Sequence, residues 1–258
     1  MNPIVRHIVS WLKVYQEQAK VDGYIIGVSG GVDSALTSTL CALTGAKVIL
    51  LNMPIRQTSA EYKRAQEHIQ DLKNRFSNVQ SFEIPLTEIF TTFESVMPFD
   101  VAEQALAMAN SRSRLRMMTL YAVGQAHRCL VAGTGNRVED FGVGFFTKYG
   151  DGGVDVSPIA DLTKTEVFQL AESVEVVNSI LIAAPTDGLW EDGRSDEDQI
   201  GATYPELEWA MDFSSDETLL TDREKEVLRI YRGFHTANKH KMEAIPVCLI
   251  PKELKNAN

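Results

Sequence analysis

A hexapeptide at residues 29–34, Ser-Gly-Gly-Val-Asp-Ser, combines residue types that bind phosphate. Two glycines let the backbone approach an anion closely, and free N–H groups at the start of a following helix can donate to phosphate oxygens. Ser29 and Ser34 add hydroxyl donors. Asp33 cannot attract phosphate itself, so its expected role is to hold a Mg²⁺ ion that bridges phosphates. A tight strand-to-helix turn is the simpler alternative, but the complete hexapeptide favours a nucleotide site.

Two other nucleotide motifs are missing from the sequence. It contains no Gly-Lys-Ser/Thr, which excludes a Walker A loop. Gly133-Thr134-Gly135 is followed by Val138 where a dinucleotide-binding fingerprint needs glycine or alanine. The pattern Ser-Gly-Gly-x-Asp-Ser instead resembles the signature of the ATP pyrophosphatases, which cleave ATP between its α and β phosphates. That resemblance implies transfer of AMP and leaves the acceptor open.

Short apolar runs at residues 24–28, 47–53, 79–84 and 128–132 are separated by stretches with helical spacing. Continuous apolar strands that alternate with helices are typical of a parallel sheet covered on both faces. The pattern therefore predicts a three-layer α/β/α fold with a mainly parallel sheet, in a single domain over residues 1–258. The hexapeptide follows the first run, at the edge where open parallel sheets bind ligands.

Further helices are predicted from apolar periodicity and from the positions of glycine and proline. A long helix is expected over residues 100–127, and shorter ones over 164–174, 204–211 and 221–236. Residues 133–153 are rich in glycine and are expected to form a long functional loop.

The composition is that of an ordinary globular chain, with 44% hydrophobic and 23% charged residues among 258. No apolar stretch approaches the length of a membrane span, and the first residues lack the apolar core of a signal peptide. Cys41, Cys129 and Cys248 form no Cys-x-x-Cys pair, which favours free thiols in a reducing cytosol. The net charge of −10 is unlike that of a nucleic-acid binder. We therefore expect a cytoplasmic protein without membrane or nucleic-acid partners.

A second and longer signal lies downstream, in residues 145–155 and 158–167. The first of these segments reads Phe-Phe-Thr-Lys-Tyr-Gly-Asp-Gly-Gly-Val-Asp, and it closely resembles a segment of the NAD synthetases. Residues 110–117 and 185–190 are similar to two further segments of that family. The resemblance extends from about residue 23 to residue 241, which is most of the chain.

The resemblance implies ATP-dependent amidation of nicotinic acid adenine dinucleotide (deamido-NAD) by ammonia, through an acyl-adenylate, to give NAD, AMP and pyrophosphate. It also implies Mg²⁺ as cofactor, ATP as co-substrate and a homodimer. Because no glutaminase-like segment precedes the hexapeptide, free ammonia is the expected donor. Three alternatives stay open: amidation of nicotinic acid mononucleotide, modification of tRNA by another ATP pyrophosphatase, and an adenine-nucleotide sensor without turnover.

The resemblance also assigns roles to individual residues by motif match. ATP contacts are implied for Ser29, Gly30, Gly31, Asp33, Ser34, Thr134, Lys164 and Thr186. Deamido-NAD contacts are implied for Asn110, Arg114, Lys148, Asp155, His240 and Lys241. Asp33 and Glu139 are the implied Mg²⁺ ligands. The implied catalytic residues are Asp151, beside the pyridine carboxyl and the incoming ammonia, and Lys164, beside the α-phosphate.

The long helix carries two sets of candidate residues. Arg112 and Arg116 are four residues apart and share one face, while Asn110 and Arg114 share another. One face is expected to be structural or part of an interface, and the resemblance favours Asn110 and Arg114 for ligand contact. The same helix is the candidate dimer interface, with Met108, Met117, Met118 and Leu120 as its apolar residues.

Overall fold

A four-stranded parallel sheet forms the centre of the molecule in the computed structural model, which describes residues 2–185 and 195–255. The strands are β1 (Gly23–Gly27), β2 (Lys47–Asn52), β3 (Val79–Glu83) and β4 (Cys129–Val131). Their order in the sheet is β3-β2-β1-β4. The parallel sheet predicted from the four apolar runs is confirmed, with strand ends that differ by one residue from the prediction.

Helices connect and cover the strands. They are α1 (Pro3–Ala19), α2 (Val32–Leu43), α3 (Ser59–Arg75), α4 (Thr87–Ser95), α5 (Ala105–Ala126), α6 (Lys164–Ser173), α7 (Asn178–Leu181), α8 (Asp196–Ile200), α9 (Tyr204–Asp212), α10 (Asp222–Met242) and α11 (Lys252–Lys255). Short 3₁₀ helices lie at Val101–Gln104 and Glu217–Leu219. Within the described residues, none of the helices has the length and apolar character that crossing a membrane requires.

Alternate residues of the strands face two separate apolar layers. On β2, Val48 and Leu50 pack with α1, α2 and α6, whereas Ile49 and Leu51 pack with α4 and α5. This alternation follows from the two-residue period of a β-strand, and it confirms the three-layer α/β/α fold. A third apolar cluster joins α8, α9 and α10 to the segment around Val138.

Residues 133–153 are not the continuous loop that the glycine content predicted. Val138–Val143 forms one π-helical turn in the middle of the segment. The carboxamide of Asn136 starts this turn, because its Oδ1 accepts the backbone N–H groups of Val138 and Glu139, each at 3.1 Å. Val138 and Val143 are both fully buried, so packing against α9 and α10 stabilises a turn that local composition does not favour.

Helix α5 lies unusually close to the sheet at Gly124. A Cβ atom at this position would be 2.9 Å from Cγ2 of Ile25 on β1 and 3.1 Å from the carbonyl oxygen of Cys129 on β4. Real Cβ atoms rarely approach other atoms so closely, so only glycine allows this contact. The contact holds the C-terminal part of α5 against β1 and β4.

We predict that Gly124→Ala destabilises the fold, because the new methyl group pushes α5 away from β1. The matched control is Gly233→Ala in α10, where a Cβ would meet no atom within 4 Å. Both substitutions gain about 1 kcal/mol of helix propensity, so the difference between them isolates the steric cost, which we expect to be about 1–3 kcal/mol. Urea unfolding of the two variants measures it. Equal stabilisation of both would contradict the close packing of α5.

Candidate active site

One cleft of about 680 Å³ opens at the C-terminal ends of β1, β2 and β4. Its wall includes the hexapeptide at residues 29–34 (the phosphate loop), one side of α5, residues 144–154 and the end of α10. Most of the residues assigned from the sequence line this cleft: Ser29, Gly30, Gly31, Asp33, Ser34, Asn110, Arg114, Thr134, Glu139, Lys148, Asp151, Lys164, His240 and Lys241. Tertiary structure therefore brings together motifs that lie more than two hundred residues apart in the chain.

The phosphate loop is held in shape by its own side chains. The Ser34 hydroxyl donates to the carbonyl of Gly31 at 3.0 Å and accepts the N–H of Ser29 at 3.2 Å. Gly30 has a φ of +90°, and a Cβ there would lie 2.5 Å from the carbonyl oxygen of Glu61, so the loop requires glycine at this position. No side chain caps α2 at Gly31, which leaves N–H groups at the helix start able to bind an anion.

A lysine lies between the two proposed metal ligands. The Nζ of Lys164 is 2.6 Å from Oδ2 of Asp33 and 2.9 Å from Oε1 of Glu139, and the lysine side chain is only 4% exposed. Burial by itself would lower the pKa of Lys164, but the two carboxylates outweigh it and hold the pKa above its usual value. The same ammonium group bonds two negative charges and stays protonated.

Neighbouring polar groups orient both carboxylates. Asn136 donates to Oδ1 of Asp33 at 3.0 Å, and the hydroxyl of Tyr204 donates to Oε1 of Glu139 at 2.5 Å. Burial tends to raise the pKa of Glu139, but Lys164 and the Tyr204 hydroxyl together lower it below its usual value. Glu139 is therefore ionised at neutral pH.

Asp33 and Glu139 suit a magnesium ion that is shared with a phosphorylated ligand. Their oxygens contact one ammonium group, so they can also contact one small cation. Mg²⁺ is usually bound by one or two carboxylates, with phosphate and water oxygens completing its shell. Among residues 2–185 and 195–255, no cluster of three or more metal-binding side chains is present.

Asp151 lies on the floor of the cleft, beside α5. Its Oδ1 accepts the Ser113 hydroxyl at 2.7 Å and the N–H of Thr147 at 3.0 Å, which leaves Oδ2 for a ligand. The residue is exposed to solvent on the cleft side, while its carboxyl group is partly buried among protein groups. This burial raises the pKa of Asp151 above its usual value, although the hydrogen bonds from Ser113 and Thr147 oppose the shift. The arrangement provides a fixed carboxylate of increased basicity.

Cationic side chains form the outer rim of the cleft. Arg114 donates through Nε to the carbonyl of Lys148 at 3.3 Å, and the Nζ of Lys148 donates to the carbonyl of His240 at 2.5 Å. Lys241 donates to the carbonyl of Phe146 at 2.8 Å. These contacts join α5, the segment after β4 and the end of α10. In a chain with a net charge of −10, the rim is a local positive region that fits a phosphorylated ligand.

One assigned residue, Asp155, lies outside the cleft lining. Its carboxylate accepts the Tyr121 hydroxyl at 3.0 Å and the N–H of Val131 at 2.8 Å. These bonds tie α5 to β4, so a structural role is evident and ligand contact stays a prediction. Thr186 lies outside the described residues.

Several residues of the site were not anticipated from the sequence. Asn136 and Asp140 flank Glu139 in the same motif, and Ser113 lies between the candidate residues of α5, so their proximity was a usable signal. Asp196 lies in residues 195–198, which also resemble a segment of the family, whereas Tyr204 had no such signal because it reaches the site only through the packing of α9.

Asp140 has the most unusual environment of these residues. Its carboxyl packs against Gly135, where a Cβ would lie 2.0 Å from the Asp140 Oδ2. Burial, together with the negative charges of Glu139, Asp151 and Asp33, raises the pKa of Asp140 to about 8. Asp140 is therefore protonated in much of the folded protein at neutral pH.

Comparison with known proteins gives a consistent result. The family model described as NAD synthase matches residues 4–244. The NH(3)-dependent NAD(+) synthetase of Syntrophomonas wolfei is 34% identical, with 99% of this chain and 100% of the relative covered. The corresponding protein of Mesoplasma florum is 37% identical, with 78% and 81% covered.

Solved structures agree with the sequence comparisons. An NMN synthetase from Francisella tularensis has a TM-score of 0.84 at 31% identity, and the similarity covers 97% of this chain and 99% of that one. An NH3-dependent NAD synthetase from Campylobacter jejuni has a TM-score of 0.74 at 23% identity, over 96% and 100% of the two chains. The second similarity supports the fold alone.

The raised pKa of Asp140 predicts that the free energy of unfolding depends on pH, and that Asp140→Asn removes this part of the dependence. The folded state holds the Asp140 proton up to about pH 8, whereas the unfolded chain releases it near pH 4. The corresponding stability is therefore fully present below about pH 4 and is lost as the pH rises toward 8. Each pH unit in this window changes the free energy of unfolding by at most about 1.4 kcal/mol.

Urea unfolding of the wild type and Asp140→Asn at pH 5, 6, 7 and 8 measures this effect. The asparagine cannot ionise, so the variant should gain stability relative to the wild type as the pH rises. A difference that stays constant over the series would show that Asp140 titrates normally.

Proposed function

This chain belongs to the NAD synthase family, and from that premise we propose that it makes NAD by ATP-dependent amidation of deamido-NAD, with ammonia as the nitrogen donor. One observation supports this proposal most directly. A single cleft connects a phosphate-binding loop and two carboxylates with a fixed basic carboxylate, Asp151, and a cationic rim. Such a cleft can hold ATP and a second phosphorylated substrate side by side.

The reaction needs activation because a carboxylate is a poor electrophile. A carboxylate oxygen of the pyridine ring attacks the α-phosphorus of ATP, the bond to the β-phosphate oxygen breaks, and pyrophosphate leaves. Ammonia then attacks the acyl carbon, and AMP leaves with the oxygen that it gained. Catalysis of this kind depends mainly on positioning and on neutralising charge.

The phosphate loop and Lys164 perform most of that work on the ATP side. The N–H groups at the start of α2 bind phosphate oxygens, and Thr134 lies beside the nucleoside. Asp33 and Glu139 hold Mg²⁺, which supplies charge neutralisation for the phosphates when it is bound. The ammonium group of Lys164, which these carboxylates hold in the cleft wall, stabilises the negative charge that develops on the α-phosphate.

Asp151 acts on the nitrogen donor. An ammonium ion has to lose a proton before it can attack, and a carboxylate with a raised pKa accepts that proton more readily than an ordinary one. Ser113 and Thr147 keep Oδ1 in place and leave Oδ2 facing the substrate. Asn110, Arg114, Lys148, His240 and Lys241 hold the phosphorylated part of the substrate at the rim.

A second candidate is amidation of nicotinic acid mononucleotide. The similarity to the NMN synthetase from Francisella tularensis over nearly the whole of both chains supports it. Both substrates carry the same pyridine carboxylate and first phosphate, so the chemistry of the cleft serves either one. We place the reaction in the cytoplasm, where ATP and both substrates are found.

The deciding experiment offers deamido-NAD and nicotinic acid mononucleotide side by side, with ATP, Mg²⁺ and ammonium. Release of AMP and pyrophosphate and formation of each amide are measured by chromatography. We expect NAD to form with the higher kcat/KM. Preferential formation of NMN would support the second candidate, and binding of ATP without turnover of either substrate would identify a nucleotide sensor.

Asp33→Asn should keep the fold and lose most of the turnover. The neutral side chain holds Mg²⁺ weakly, and the loss of one charge-neutralising contact commonly costs about 3 kcal/mol of barrier, or about a hundredfold in rate. Steady-state kinetics at saturating ATP measure the loss. Asp161→Asn removes an exposed carboxylate outside the cleft lining and serves as the control. A wild-type rate for Asp33→Asn would rule it out as a metal ligand.

We also propose that the chain forms a homodimer through α5. Met118 is 59% exposed on this helix, whereas Met108 is buried in the protein's own core. Met117 and Leu120 also line the cleft and thus serve the monomer. Only part of the apolar surface expected from the sequence is therefore available to a partner.

Analytical ultracentrifugation at micromolar concentration should give about twice the chain mass of 28.7 kDa. Met118→Glu should shift the protein toward the monomer, because it places a charge in the interface. Leu219→Glu changes another exposed apolar residue outside α5, and it should leave the dimer intact. A wild-type monomer under these conditions would contradict the proposal.

A further inference from the structure

Arg116 is a cleft residue with an incomplete set of hydrogen bonds. It lies on α5, and its guanidinium donates through Nε to the carbonyl of Met53, just after β2, at 3.1 Å. Its Nη2 atom is buried and has no hydrogen-bond partner among the described residues. An unpartnered donor of this kind is costly unless a ligand satisfies it.

Among residues 2–185 and 195–255, no carboxylate forms an ion pair with Arg116. Glu61 and Asp151 attract the guanidinium only from a distance, while Arg112 repels it. Burial lowers the pKa of Arg116 to about 10, so the group is still a full cation at neutral pH. A buried cation without an anion beside it is a feature of functional sites more than of structural ones.

The other two arginines of α5 have different surroundings. Arg112 lies over the ring of Phe90, with 5.8 Å between the guanidinium carbon and the ring centroid, and it does not line the cleft. Arg114 is exposed at the rim, where it contacts the carbonyl of Lys148. Arg116 is the one whose guanidinium is both buried and part of the cleft wall. The face of α5 that was expected to be structural thus carries a ligand-facing residue as well.

Its place along α5 identifies the part of the substrate that it can reach. One turn earlier, Ser113 holds Asp151, where ammonia is activated. One turn later, Leu120 packs beside Gly27, the last residue of β1, two residues before the phosphate loop begins. A Cβ on Gly27 would lie 3.6 Å from Cδ1 of Leu120. Arg116 therefore lies between the amidation end and the ATP end of the cleft, where the reacting carboxylate has to be.

We propose that Arg116 binds the pyridine carboxylate of the substrate and thereby distinguishes the acid from its amide product. This inference rests on the proposed function. A guanidinium pairs with both oxygens of a carboxylate through parallel hydrogen bonds. The carboxamide product is neutral and has one acceptor and an NH₂ donor, so it leaves one guanidinium N–H group facing another donor. Arg116 thus favours binding of the acid and release of the amide.

The test compares the affinity of the purified full chain for each acid and its amide. Isothermal titration calorimetry is run with deamido-NAD and NAD, with nicotinic acid mononucleotide and NMN, and with ATP. In Arg116→Met we expect the acids to bind at least about tenfold more weakly, as for loss of a charged hydrogen bond, while the amides and ATP change less than about twofold. Arg116→Lys keeps the positive charge but cannot form the paired hydrogen bonds. Its affinity for the acids should therefore lie between those of the wild type and Arg116→Met.

Arg112→Met is the matched control, because it removes a guanidinium from the same helix outside the cleft. It should leave the ratio of acid to amide affinity unchanged. Equal weakening of acid and amide in Arg116→Met would assign Arg116 to structure, and weakening of ATP alone would assign it to a phosphate. Either result overturns the proposal.

Thermal melting checks that each variant is folded, and the wild type provides a test that needs no variant. If wild-type protein binds the acid no more tightly than the amide, Arg116 does not discriminate between them. Failure of the wild type to amidate either acid would refute the proposed function. Normal amidation with an unchanged affinity ratio in Arg116→Met would refute only the role of Arg116.

Discussion

The contact of Lys164 with Asp33 and Glu139 is the interaction on which the rest of the site depends. These three charged side chains come from the starts of α2 and α6 and from the π-helical turn after β4. A buried charge without a partner is strongly unfavourable, so each of them requires the other two to be in place. The contact therefore joins the phosphate loop to the π-helical turn and to the start of α6, and it sets the width of the cleft at this end.

Helix α5 fixes the positions of the polar groups along its own side of the cleft. Its close approach to the sheet at Gly124 determines where its N-terminal half projects beyond the strand ends. From that half, Ser113 holds the carboxyl of Asp151 and Asn110 accepts the hydroxyl of Thr147 at 2.6 Å. Because one rigid helix carries these contacts, the basic carboxylate and the cationic rim keep fixed positions relative to the phosphate loop. Such preorganisation is what a reaction driven by positioning needs.

The acidic groups in the cleft and just behind its wall differ in their protonation because their partners differ. Glu139 is bonded by a lysine and a tyrosine hydroxyl and is ionised, whereas Asp140, the next residue, has only negative neighbours and is held protonated up to about pH 8. Asp151 lies between these cases, with two hydrogen-bond donors and no ion pair. Neighbouring carboxyl groups can lie close together here since their charges are not all present at once.

The sequence by itself determined the sheet, the phosphate loop and the family. Strand and helix periods depend on local spacing, and a loop such as residues 29–34 needs its glycines and serines whatever surrounds it, so these features are visible in the residues alone. Most of the residues assigned by the motif match line the cleft. Only the tertiary structure decided the rest. It places Lys164 between Asp33 and Glu139, brings Tyr204 from α9 to Glu139, and uses Asp155 to tie α5 to β4. It also buries Nη2 of Arg116 without a hydrogen-bond partner among the described residues. The physical reason is that protonation, pairing and burial depend on neighbours that are distant in the chain, and no local pattern records which of them will meet.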